Sequence, residues 1–326
     1  MLRSLTGEGM ISMQGLEISR SYFNEFGMPM LAEGFSEISQ YLCCGMFGSG
    51  SECLGYDDEE SRDHDFEPGF MILLPGEDIV DRRTEFLLER AYAKLPKEYM
   101  GLKRSMFSPV GGSRKGVIRA EEFFYDRLGT RDGYLSVAQW LQTPEHYLLE
   151  ATNGEVYFDN YGLVTEIRQR IAYLPEDIRL KKLAGKLLLM AQSGQYNFLR
   201  CLKHDEPYAA QLAVIEFVKS AISVIYLLNK RYEPFYKWAF RGLEELPVLK
   251  DVITVLKVLI TTDNDGEMAE QKYYAMEGIC ARVIEVLQDQ EITKANCGDM
   301  EKNAYSVNDM ISDSNIRNAN ILMGVR

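Results

Sequence analysis

The sequence predicts an α+β fold, a small mixed-sheet α/β head followed by an all-α helical bundle. Two observations predict it. In the first half, short apolar runs at Tyr41 to Phe47, Phe70 to Leu74 and Val117-Ile118 alternate with segments of helical spacing. From about Thr165 onward the strand signals stop and every apolar pattern has the helical period. The expected layout is a head over residues 1–155, a bundle over 156–292 and a polar, Asn-rich, weakly ordered tail over 293–326.

The elements follow in order. Gly15 to Ala32 has helical spacing through Leu16, Ile18, Tyr22 and Phe26. Tyr41 to Phe47 is apolar and runs into a Gly/Ser turn and a polar acidic loop. Phe70 to Leu74, stopped by Pro75-Gly76, fits a buried strand. Asp81 to Leu95 is an amphipathic helix ended by Pro96, and Ser108 to Gly116 is a Pro/Gly loop. Val117-Ile118 leads into a helix from Glu121 to Leu128, closed by Gly129. The polar stretch Asn153 to Gly162 reads as the domain boundary. Beyond it come helices at 165–173, 178–202, 208–230, 233–246, 249–261 and 271–288, several with a proline near the start, where a missing N–H costs little. Gln192, Gln195, Tyr196 and Asn197 form a polar cluster inside an apolar helix, either a cleft lining or a polar helix face.

Composition limits the function. The 326 residues carry a formal charge of −13, which argues against an extended duplex surface and against docking on anionic lipid. No run reaches 18 consecutive apolar residues, and Met1 to Gln14 has no apolar signal core, so a cytoplasmic protein off the membrane is expected. The six cysteines show no metal spacing and read as reduced thiols. The three histidines lack ligand spacing, and Asp263 to Glu267 reads as a turn.

The informative stretch runs from Gly48-Ser49-Gly50-Ser51 through the acidic run Asp57 to Glu60 to Ser61-Arg62-Asp63-His64-Asp65. A Gly/Ser turn frees backbone N–H groups for close approach to phosphate, and the helix it opens favours an anion. On an extended segment Asp63 and Asp65 share a face and make a hard-oxygen site suited to Mg²⁺, while His64 points away. Asp57 to Glu60 reads as a solvated charge run.

This ordered combination, with thirteen residues between Ser49 and Asp63, resembles the signature of the nucleotidyltransferase fold of the polymerase-β superfamily. Ser-Arg-Asp-His-Asp, Leu-Leu-Met-Ala-Gln-Ser-Gly-Gln-Tyr-Asn and Tyr-Lys-Trp are similar to a bacterial branch known as nucleotidyltransferase-like, with a C-terminal domain of unknown function. The two-domain layout is similar to that of aminoglycoside nucleotidyltransferases. The resemblance implies an Mg²⁺-dependent enzyme that moves a nucleoside monophosphate, AMP from ATP, to a hydroxyl on a small molecule, protein or RNA. The alternative is a catalytically reduced nucleotide sensor or an antitoxin-like interaction protein of the same fold.

The resemblance makes Asp63 and Asp65 the metal ligands and catalytic acids, with Gly48, Ser49, Gly50 and Ser51 holding the terminal phosphates. It also places a third carboxylate on a later strand. Gly116 to Ala120 contains none, and Glu122 just beyond is the candidate. A triphosphate needs more cations than the head offers, and the bundle supplies Lys182 with Lys186, and Lys237 with Arg241, each pair four apart on one helix face. Lys237 beside Trp238 is the foremost of them, because an aromatic neighbour can partly bury a cation.

Overall fold

The computed structural model describes residues 13–58, 67–104 and 115–325. The chain forms two compact units, residues 1–134 with 147–172, and residues 135–146 with 173–326.

In the first unit, α1 (Gly15–Tyr22) and α2 (Met28–Gly34) are joined by a π turn at Phe23–Gly27, so the helix expected from Gly15 is continuous. Gly27 is required there, since a Cβ would lie 2.4 Å from Phe70 Cζ. Strand β1 (Cys43–Met46) pairs antiparallel with β2 (Met71–Leu74), both fully buried. Helix α3 (Arg82–Ala93) starts at Asp81, whose carboxylate accepts the Thr84 N–H. A two-residue hairpin, β3 (Glu98–Tyr99) and β4 (Leu102–Lys103), follows. Strand β5 (Gly116–Arg119) pairs parallel with β2 and runs directly into α4 (Ala120–Leu128), which Gly129 ends in the left-handed conformation. Helix α5 (Val137–Gln142) belongs to the second unit. Helix α6 (Glu145–Thr152) leads to β6 (Glu155–Asp159) and α7 (Leu163–Arg170).

The sheet order is β5-β2-β1-β6, a mixed sheet as expected. Tyr22, Phe23, Phe70, Leu88 and Tyr92 pack its core, and the Tyr92 hydroxyl donates to the Phe70 carbonyl oxygen at 2.8 Å. The stretch expected to be the boundary is instead the edge strand β6, paired to β1 across a bulge at Cys44/Gly45. Its residues are only partly buried and its ends are acidic, so it lacks the apolar run that marked β1 and β2. The first unit therefore continues to residue 172.

The second unit is helical throughout its described residues. Helix α8 (Glu176–Met190) passes through a π turn at Ala191–Asn197 into α9 (Phe198–Lys203). Gly194 sits in that π turn because a Cβ would lie 2.4 Å from the Phe217 ring. Gln195 serves structure, not a cleft: its side chain donates to Glu277 and to the Gly298 carbonyl and accepts the Met300 N–H. Helices α10 (Pro207–Leu228), α11 (Tyr236–Leu243), α12 (Ile253–Thr261) and α13 (Gly266–Asp289) complete the expected set. Length and composition alone would let α10 cross a bilayer, but 72% of its most apolar window is buried inside the protein, as in a core helix.

The expected weak tail is a correction. Residues 300–309 form α14 and residues 314–318 form α15, opened by the side chains of Asp299 and Asp313. Met300, Ala304 and Val307, spaced as one helix face, are fully buried against α8. Lys181 of α8 donates to Asn308 Oδ1 at 2.9 Å and to the Ala319 carbonyl at 2.7 Å, which ties both ends of this segment down.

Candidate functional site

The Gly/Ser turn leaves the end of β1. Gly48 and Gly50 have φ of +108° and +142°, conformations that side chains rarely adopt. Asn153 clamps the turn from both sides: its Oδ1 accepts the Gly48 N–H at 2.8 Å, and its Nδ2 donates to the Gly48 carbonyl at 2.9 Å. The Gly48 N–H is thereby committed to protein. The turn opens the expected short helix, a single 3₁₀ turn at Glu52–Leu54.

Two charged side chains border this turn that sequence reasoning did not single out. Glu52 is buried, with its carboxylate 2.6 Å from where a Gly50 Cβ would stand. The Arg127 guanidinium stands 3.2 Å from the Cβ position of Gly48, lies over the Phe123 ring at 3.9 Å and faces Glu150 at 3.5 Å. Burial lowers the Arg127 pKa, and the Glu150 charge opposes that. Arg127 occupies an ordinary last-turn position before Gly129, and only the fold brings it to Gly48.

Asp63 and Asp65 lie outside the described residues, as do His64, Glu59, Glu60 and Arg114. Asp57 is not part of a solvated run: its Oδ2 accepts the Gly15 N–H at 2.9 Å at the start of α1, and its Oδ1 is buried without a hydrogen-bond partner among the described residues. The expected third acid, Glu122, is exposed on the first turn of α4, where a carboxylate is favoured by the helix dipole. On β5 itself the inward charge is a cation: Arg119 pairs with Glu85 at 2.6 Å and donates to the carbonyls of Pro75 and Val80. Among the described residues no group of three or more His, Cys, Asp or Glu converges on a metal position.

The second unit contains a cavity of about 780 Å³, lined by α5, the start of α6, α8, α10, α11, Ile260 and residues 324–325. That volume is in the range of small-molecule pockets. Its walls are mostly apolar, and its polar groups gather at one place. Lys182, 4% exposed, lies 3.7 Å from Glu145 Oε1. Burial pulls the Lys182 pKa down and Glu145 pulls it up. The other Glu145 oxygen accepts the Glu233 N–H at 3.2 Å.

Ser223 Oγ stands 2.6 Å from Glu233 Oε2 and 3.2 Å from the Lys219 carbonyl oxygen. A hydroxyl has one proton to give, so Ser223 donates to the nearer Glu233 oxygen, a bond that draws the Glu233 pKa down. Burial pushes the Glu233 carboxyl up to about 7, Glu145 adds to that, and Ser223, Lys186 and Lys219 oppose it. His146 also lines the cavity, edge-on to Phe235 at 5.5 Å, with its pKa lowered by burial.

The four expected cations therefore separate. Lys182 and Lys186 share the cavity wall, as their spacing implied, but Lys182 is committed to Glu145 and is no spare triphosphate ligand. Removing one partner of such a buried pair costs about 3–5 kcal/mol. Lys237 and Arg241 are exposed on the other face of α11, over Trp238 at 4.9 Å and 5.8 Å, and do not line the cavity. The aromatic neighbour expected for Lys237 is present, in water.

The chain is similar to a protein family and to solved structures. A family model described as a domain of unknown function (DUF4037) matches residues 140–239, a stretch that takes in Glu145, Lys182, Lys186, Lys219, Ser223 and Glu233. No curated protein matches the chain. Among solved structures, the chain is similar to a nucleotidyltransferase-like protein from Exiguobacterium sibiricum 255-15, at 14% identity over 84% of this chain and 74% of that one, with a TM-score of 0.33.

Proposed function

We propose that the protein is a nucleotidyltransferase that moves a nucleoside monophosphate, AMP from ATP, onto an acceptor hydroxyl. The observation that carries this reading is the Gly48–Ser51 turn, whose positive-φ positions need glycine, at the end of a buried strand and followed in sequence by Asp63-x-Asp65. The donors of Ser49, Gly50 and Ser51 hold the terminal phosphates, and the Arg127 guanidinium beside Gly48 adds positive charge to them. Carboxylate oxygens suit a hard cation, and the buried, unpartnered Asp57 Oδ1 next to this segment is a further oxygen of the same kind. Asp63 and Asp65 would hold Mg²⁺, which when bound neutralises charge on the phosphates. The acceptor oxygen attacks the α-phosphorus in line, pyrophosphate leaves, and Glu122 is the candidate to take the acceptor's proton. Lys237 and Arg241, over Trp238, are the further cations proposed for the phosphates.

A second reading, a nucleotide sensor or antitoxin-like interaction protein of the same fold, is favoured by one observation: β5 carries buried Arg119 and no acid. Incubation with ATP labelled at the α-phosphate, plus a cell extract, separates the two. The enzyme reading expects label on a protein, RNA or small-molecule fraction with release of pyrophosphate. Tight Mg²⁺-ATP binding without turnover supports the sensor, and absence of ATP binding rejects both nucleotide readings.

A further inference from the structure

We propose that the cavity of the second unit binds a small organic anion with an apolar body, a carboxylic acid on an aromatic or branched hydrocarbon frame, its charge held between Lys186 and Lys219. Four observations carry this. The cavity, about 780 Å³, has the size of a small-molecule site and lies wholly within one unit. Its walls, among them Leu141, Ile222, Ala239, Phe240 and Val325, offer contact to hydrocarbon and few hydrogen bonds.

The charges at its polar end do not cancel. Glu145 is taken up by Lys182 and by the Glu233 N–H. Glu233 accepts from the Ser223 hydroxyl and stands against both Lys186 and Lys219, so it offsets at most one of their two charges. One positive charge is left over at this end, and among the described residues neither lysine forms an ion pair. The last observation is aromatic: Phe235 and Tyr236, which line the cavity, are 48% and 78% exposed, and their rings touch at 4.4 Å. Large aromatic surface kept in water beside a cavity marks a binding site.

These features select among ligands. A cation would meet two ammonium groups, and a neutral hydrocarbon would leave them without a partner. A polyphosphate brings more charge than two lysines offset and gains nothing from the apolar walls. One carboxylate on an apolar body matches both ends.

The test uses the full chain without nucleotide and three probes of one shape: phenylbutyrate, phenylbutyramide and phenylbutylamine. Calorimetric titration is expected to show the acid binding about ten-fold tighter than the amide or better, and the amine not binding. Lys186→Gln with Lys219→Gln, both solvent-reached positions, should lower the affinity of the acid to that of the amide. Ala239→Phe, which fills the cavity, should abolish binding of acid and amide alike. Equal binding of amine and acid, affinity for the acid unchanged by the two lysine substitutions, or no binding of any probe each overturns the proposal.

Discussion

Replacing Glu233 with Gln tests the electrostatics of the cavity directly. In the folded protein the Glu233 carboxyl titrates at about 7, against 4.5 for an ordinary glutamate. Between those values the folded chain holds a proton that the unfolded chain has lost, so unfolding releases it and stability falls as pH rises. The contribution is complete below pH 4.5 and gone above about 7. At 1.36 kcal/mol per pH unit, the interval gives a ceiling of about 3 kcal/mol. His146 works in the opposite sense: burial lowers its folded pKa below 6.5, so it adds stability as pH rises through that range. Glu145, Lys182, Lys186 and Lys219 also face Glu233 and contribute to the absolute profile. The informative quantity is therefore the difference between wild type and Glu233→Gln.

Both tryptophans, Trp140 and Trp238, lie in the second unit, so their fluorescence reports its urea unfolding alone. The variant should match wild type near pH 5 and exceed it by about 1–3 kcal/mol at pH 8. A difference that stays flat from pH 5 to pH 8 refutes the raised Glu233 pKa, and with it the burial that causes it.

Three further outcomes are expected. Asp63→Asn and Asp65→Asn should each abolish Mg²⁺-dependent ATP binding by calorimetry while leaving the thermal transition unchanged or raised, because a like-charge pair is removed. Asn153→Ala breaks both hydrogen bonds to Gly48, at a cost of about 1–3 kcal/mol, and should weaken ATP binding by loosening the turn, as read by titration and by urea unfolding followed by circular dichroism, since the first unit has no tryptophan. Gly50→Ala places a methyl 2.6 Å from the Glu52 carboxylate at φ +142° and should destabilise by about 1–3 kcal/mol or more in the same unfolding assay.

The mixed sheet and the bundle were legible because their signals are local. Met71–Leu74 is apolar on every residue since both its faces are covered, and the proline-started helices kept their period. Strand β6 was hidden because an edge strand needs only one neighbour and half a face, so Glu155 and Asp159 sit in it without penalty. The C-terminal helices were hidden by composition: Asn303 and Asn308 read as signs of a loose tail, yet Asn308 accepts from Lys181 and Asn303 is fully buried. Lys182 looked like a phosphate ligand because its partner Glu145 is distant in sequence, and a lysine does not announce its salt bridge. Arg127 and Glu52 at the turn carried no pattern at all, since only tertiary folding brings Arg127 to Gly48.

Helix α8 buries three cations on consecutive or near-consecutive residues, and each finds its partner in a different part of the chain. Arg179 reaches Glu176 and the Leu227 carbonyl, Lys182 reaches Glu145, and Lys181 reaches Asn308 and Ala319. During synthesis these partners emerge at different times. Lys182 and Arg179 meet Glu145 and Glu176 as soon as α8 forms, and Lys181 waits for residues 308–319. Until those residues leave the ribosome, the Lys181 ammonium keeps water as its partner and the face of α8 that α14 covers stays exposed. A chain stopped before residue 300 therefore leaves apolar α8 surface in water, the kind of patch that favours association over folding.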